Sequence, residues 1–128
     1  MKNLTIIIFL LTTALCNCQE AVFDVKYPVV KFPKTEEGIK QNFKFEFTNS
    51  GDIPLEIYSF DAGCTCLNVS IPKSKIEPGG FGEIVVTFDT NNQLYHQDRI
   101  ILVNTNSSKR REKLRIKIYV EPKSKSKN

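Results

Sequence analysis

Alternating apolar and polar residues, in segments about ten residues apart and separated by turn sequences, predict an all-β antiparallel sandwich of about seven strands. Three segments carry the alternation most clearly. Phe43, Phe45 and Phe47 are separated by Lys44 and Glu46, so one face is aromatic and the other charged. Ile84, Val86 and Phe88 alternate with Val85 and Thr87; Leu114, Ile116, Ile118 and Val120 alternate with Arg115, Lys117 and Tyr119. Successive side chains of a strand point to opposite faces, so each segment reads as half-buried, and the chain shows no convincing helical period.

Weaker strands are expected over 22–27, 29–32, 55–60, 67–71 and 100–105. Between them, Asn49-Ser50-Gly51-Asp52 reads as a hairpin connection, because these residues tolerate positive φ. In Pro78-Gly79-Gly80 the proline presets φ and a glycine takes the left-handed position, and turn formation also accounts for Gly82. Asn104-Thr105-Asn106-Ser107-Ser108 reads as a polar, exposed turn. An antibody-type domain is excluded: the chain has no Trp, and Cys64 and Cys66 lie too close in sequence to join two sheets.

The N-terminus is not fold material. Met1-Lys2-Asn3 is a short basic region, and the uncharged run from Leu4 to Leu15 is too short for a bilayer span of ~20 apolar residues. Residues 1–18 therefore read as a secretory signal. Leu15-Cys16-Asn17-Cys18 resembles a bacterial lipobox, with Asn17 where Gly, Ala or Ser is usual. Ordinary signal-peptidase cleavage and lipidation of Cys18 are both open, and the second turns a soluble protein into an anchored one. The sandwich is expected over 20–122 and a basic, frayed tail over 123–128. Loss of the signal leaves 17 Lys and Arg against 14 Asp and Glu, a charge of +3 that gives no reason to expect nucleic acid.

In order along the chain, several stretches resemble the bacterial family called Domain of Unknown Function 1573. They are Phe32 and Gly38, the run from Phe43 through Thr48-Asn49-Ser50-Gly51-Asp52 to Ile57, Gly63-Cys64-Thr65-Cys66, the run from Ile76-Glu77-Pro78-Gly79-Gly80 to Thr90, and Val103-Asn104-Thr105-Asn106. Pro33 and Thr65 stand where that family usually has glycine. The resemblance implies an exported immunoglobulin-like sandwich, related in shape to major-sperm-protein and Hydin-type modules that bind other proteins. It implies no reaction. In a bacterial host the patterns Asn68-Val69-Ser70 and Asn106-Ser107-Ser108 carry no glycosylation meaning.

Cys64-Thr65-Cys66 is the one notable chemical constellation. Four readings are open: two half-buried packing residues, a disulfide favoured by an oxidising compartment, a soft-metal site for Cu(I) or Zn(II), and a catalytic redox pair. On an extended strand the two Cβ atoms lie ~6.6–6.8 Å apart, too far for a bond. A turn at Gly63 would close the gap, giving a strained, easily reduced link. Two thiolates are too few for structural zinc, and His96, in what reads as a polar connection, is the single histidine. A catalytic triad would have to use that histidine, Asp61, Asp89 and Asp98 have no spacing that gathers them, and phosphate-loop and nucleophile-elbow motifs are absent. No catalytic residue, metal or cofactor is expected, and the chain is not expected to be an enzyme. The expected role is a non-catalytic binding or structural module of the cell envelope, in the periplasm or anchored at the outer membrane. It would meet an unidentified protein partner, and a membrane only through a lipid on Cys18. The alternative is thiol-based redox or soft-metal handling by Cys64 and Cys66.

Overall fold

The computed structural model describes residues 17–124. Residues 1–16 of the signal and 125–128 of the tail lie outside the described residues. Eight strands follow in order: β1 (Phe23–Val25), β2 (Val29–Glu36), β3 (Lys40–Asn49), β4 (Ile57–Asp61), β5 (Leu67–Ser70), β6 (Phe81–Asp89), β7 (Tyr95–Thr105) and β8 (Arg111–Glu121). The described residues contain no helix. Two four-stranded sheets, ordered β1-β3-β6-β5 and β2-β8-β7-β4, form the sandwich. All ten residues of the three strongest alternations are buried between them.

Eight strands replace the expected seven, and one of the six pairings is parallel: β2 beside β8. The cause lies at Pro28. The chain leaves the first sheet after β1 and enters the second beside the last strand, where the Arg115 amide donates to the Pro28 carbonyl (2.8 Å). Edge strand β2 tolerates Pro33, which has no amide to donate; its register shifts between Phe32 and Thr35.

Three turn readings need correction. Asn49-Ser50-Gly51-Asp52 is not a hairpin, because it carries the chain from β3 in one sheet to β4 in the other. Asn49 is fully buried, and its side chain is saturated. Its Oδ1 accepts from the Val22 and Gly51 amides (3.2 and 3.0 Å), and its Nδ2 donates to the Ile53 and Ile76 carbonyls (2.8 and 2.9 Å). The 104–108 segment is not simply exposed either. Asn104 and Thr105 end β7, while Thr105 and Ser107 are buried and hydrogen-bonded to each other (2.8 Å). The Ser107 hydroxyl also lies 3.2 Å from the Glu112 carboxylate.

The turn at 77–80 is present, closed by the Gly80 amide on the Glu77 carbonyl (2.8 Å). Gly82, however, belongs to β6 and faces Phe47 across the ladder. A Cβ there would sit 2.4 Å from the Phe47 ring, which stacks on Phe23 with centroids 4.6 Å apart. The absent side chain makes room for that aromatic pair.

Candidate functional site

The cysteines occupy the corner where the chain passes from β4, at the edge of the second sheet, to β5, at the edge of the first. Asp61 ends β4 and its Oδ1 accepts the Gly63 amide (3.0 Å). Gly63 takes φ +62°, which an L side chain adopts only with strain, and the chain turns sharply. The Leu67 amide then reaches the Cys64 carbonyl (3.3 Å), and the Cys66 carbonyl accepts the Asp89 amide (2.8 Å). The Cα atoms of Cys64 and Cys66 are 5.2 Å apart and their sulfurs are bonded, so the structure holds a disulfide rather than two free packing thiols. The Cys66 amide donates to Cys64 Sγ (3.1 Å). Cys66 packs against the core. Thr65, between the two, is exposed.

The other candidates lie apart. His96 is in β7 and not in a polar connection: it pairs with Tyr119 of β8 and sets its ring edge-on to that tyrosine, centroids 4.9 Å apart. Strand β7 starts at Tyr95 because β8 runs on to Glu121 and gives those residues a partner. Asp98 forms an ion pair with Arg115 (Nε to Oδ1, 2.7 Å), and that hydrogen bond holds its carboxyl below the usual range. Asp89 accepts the Asn91 amide (3.0 Å). Among the described residues no group of three or more His, Cys, Asp or Glu could hold a metal. Cys18 is exposed, two residues before Glu20, whose carbonyl accepts the Asp52 amide (2.8 Å).

Two surface features escaped the sequence reading. A shallow groove of about 780 Å³ runs over the outer face of β1, β3 and β6, where Phe81, 82% exposed, stands among Asp24, Glu46 and Glu83. The second is β4. It pairs only with β7, bulges between Ile57 and Ser59, and exposes Tyr58 and Phe60 (59% and 41%) along an unpaired edge. Of the four edge strands it alone shows exposed aromatics. Strand β1 has three residues, β2 carries Pro33 between Lys31 and Lys34, and β5 shows Asn68 and Ser70. The bulge hid this feature from the sequence: it takes Tyr58 out of the register and sets Phe60 opposite Val103.

The profile of the family described as "Protein of unknown function (DUF1573)" matches residues 23–120. No curated protein matches in sequence. Among solved structures, a protein of unknown function from Porphyromonas gingivalis W83 superposes with a TM-score of 0.70 at 18% identity, over 84% of this chain and 50% of that one. The chain thus spans about half the length of that neighbour. The ASH/PapD-like domain 7 of human CEP192 gives 0.61 at 13% identity, over 90% and 97% of the two chains. SSP-19, an MSP-domain-like protein of Caenorhabditis elegans, gives 0.57 at 8% identity, over 75% and 98%. These likenesses show the fold: an immunoglobulin-like sandwich of the PapD and MSP kind.

Proposed function

The chain belongs to the DUF1573 family, whose description assigns no activity, and on that footing we propose that it is a non-catalytic binding module of the bacterial cell envelope. The observation that carries this reading is the β4 edge. An unpaired strand offers main-chain amides and carbonyls to an incoming strand, and natural sheets normally blunt such edges with charge, proline, brevity or a bulge; β4 has the bulge between Ile57 and Ser59 and five residues in all. Tyr58 and Phe60 nonetheless add apolar area beside the free backbone. The partner that fits is an extended segment of another envelope protein, joined by strand addition. The signal-like N-terminus supports export to the periplasm, and an acyl chain on Cys18 would anchor the domain at the outer membrane.

A photo-crosslinking side chain at Tyr58 in living cells should give one discrete adduct that the same group at Asn42, on the outer face of β3, does not give. Ser59→Pro, in the bulged edge strand, should abolish the adduct in a folded variant. Equal labelling from both positions would remove β4 as the docking strand. Fractionation tests the anchor: Cys18→Ala should move the protein from membranes to the soluble periplasm, and an unchanged distribution argues for simple secretion.

A further inference from the structure

We propose that Cys64 and Cys66 form a thiol–disulfide exchange site in which Cys64 attacks, Cys66 resolves, and the co-reactant is an accessible disulfide. Three features of the corner divide the roles. The Cys66 amide points at Cys64 Sγ (3.1 Å), so a donor favours the thiolate at that sulfur. Cys66 rests against the hydrophobic core, where a thiolate is disfavoured, and Cys64 is not part of that packing. The backbone of the corner is held by bonds that do not involve sulfur: Gly63 to Asp61, Leu67 to Cys64 and Asp89 to Cys66. These keep the two side chains within reach of each other after reduction.

Fold stabilisation is a poor reason for this link. A covalent loop closed across a single intervening residue removes little freedom from the unfolded chain. The same closeness makes the second sulfur an effective resolving group.

In the reduced protein the Cys64 thiolate attacks one sulfur of a disulfide R–S–S–R′. A Cys64–S–R bond forms, the R–S–S–R′ bond breaks, and its electron pair leaves on R′S⁻, which takes a proton from water. Cys66 gives its proton to water and attacks Cys64 Sγ. The Cys64–Cys66 bond forms, and RS⁻ departs and is protonated. Counting the proton that Cys64 loses to water on ionising, two electrons and two protons pass from the pair to the co-reactant; in reverse, the bonded pair oxidises a dithiol. The attack requires a thiolate and a reachable sulfur; both cysteines are half-buried, and Cys64 is the one that has the amide donor and lies outside the core packing.

The test uses the full mature chain, reduced and freed of reductant. Under a short pulse of iodoacetamide at neutral pH, peptide mass mapping should show Cys64 modified at least tenfold faster than Cys66. Cys66→Ser, mixed with glutathione disulfide or with a misoxidised secreted protein, should stall as a mixed disulfide on Cys64, and Cys64→Ser should not stall. Trapping of glutathione alone assigns a small-thiol co-reactant; trapping of the protein assigns a polypeptide disulfide. Equal or inverted labelling rates in the wild-type chain overturn the proposal, as does a Cys66→Ser variant that traps neither probe. The rate measurement needs no substitution, so a variant that fails to fold leaves it decisive.

Discussion

Asn49 gathers three separate stretches of backbone around one buried amide through four hydrogen bonds: Val22 before β1, Gly51 and Ile53 in the crossing to β4, and Ile76 before the turn at 77–80. Its replacement removes the partner of the Val22 and Gly51 amides and of the Ile53 carbonyl, each costing about 1–3 kcal/mol where water cannot reach it, while the Ile76 carbonyl keeps the Leu55 amide. Asn49→Ala is expected to lower stability by on the order of 3 kcal/mol in urea unfolding. Asn49→Asp is expected to be pH-dependent, because its second oxygen would face the Ile53 and Ile76 carbonyls where a donor now sits. That favours the protonated acid, raising its folded pKa above the unfolded value. The variant therefore gains stability as pH falls through the raised value, a direction opposite to ordinary acid unfolding. Gly82→Ala forces a methyl against the Phe47 ring and should cost about 1–3 kcal/mol, the usual range for overpacking. A thermal melt of that variant checks it.

At the level of elements, the period-two alternation said more than the turn composition that competed with it. Phe43, Phe45 and Phe47 extend to Asn49 on the same inward face, Ile101 and Val103 extend to Thr105, and Leu114 extends back to Glu112. Strand phase placed these polar residues inside, while turn composition around Asn49 and Thr105 suggested exposure. Polar groups at the rim of a sandwich are buried when they bond to the backbone crossing there, a tertiary fact invisible in a local window. The sheet to which each strand belongs was hidden for the same reason. The covalent state of the cysteine pair depended on Gly63 taking a left-handed conformation, which the residue permits without dictating. Across β7 and β8 the Arg115 guanidinium holds the Asp98 carboxyl below its usual range through a hydrogen bond at the exposed face. A depressed folded pKa gives stability that is whole above the unfolded value and lost as pH falls through the folded one. The fall in urea midpoint between about pH 5 and pH 2 should accordingly be smaller in Asp98→Asn than in wild type. High salt should shrink the difference, as expected of an exposed pair.

On the scale of the whole molecule, the chain enters at one end of the sandwich and carries its disulfide at the other. Ala21 and Phe23 lie near Asn49 and the start of β6, while Cys66 bonds to Asp89 at its finish, about 27 Å away along the strand. The fold does not lean on that distant link. The combined Cys64→Ser and Cys66→Ser variant is expected to keep its structure and lose about 1.5 kcal/mol, the loop-entropy value for so small a ring. Circular dichroism with guanidinium unfolding measures both. A much larger loss would show that the bond itself shapes the corner.

The parallel pairing of β2 with β8 has a mechanical consequence. These are the second and the last strands, registered from Val29 opposite Arg115 to Glu36 opposite Glu121. A pull between an N-terminal tether and the C-terminal tail first peels away the three residues of β1. It then drags β2 and β8 in opposite directions along a shared ladder, so the ladder's bonds bear the load together. A hairpin pulled from its open end gives way one bond at a time. A domain held at its start and loaded at its finish would thereby take tension in shear, and the crossing at Pro28 that disturbed an otherwise antiparallel sandwich is what sets that geometry.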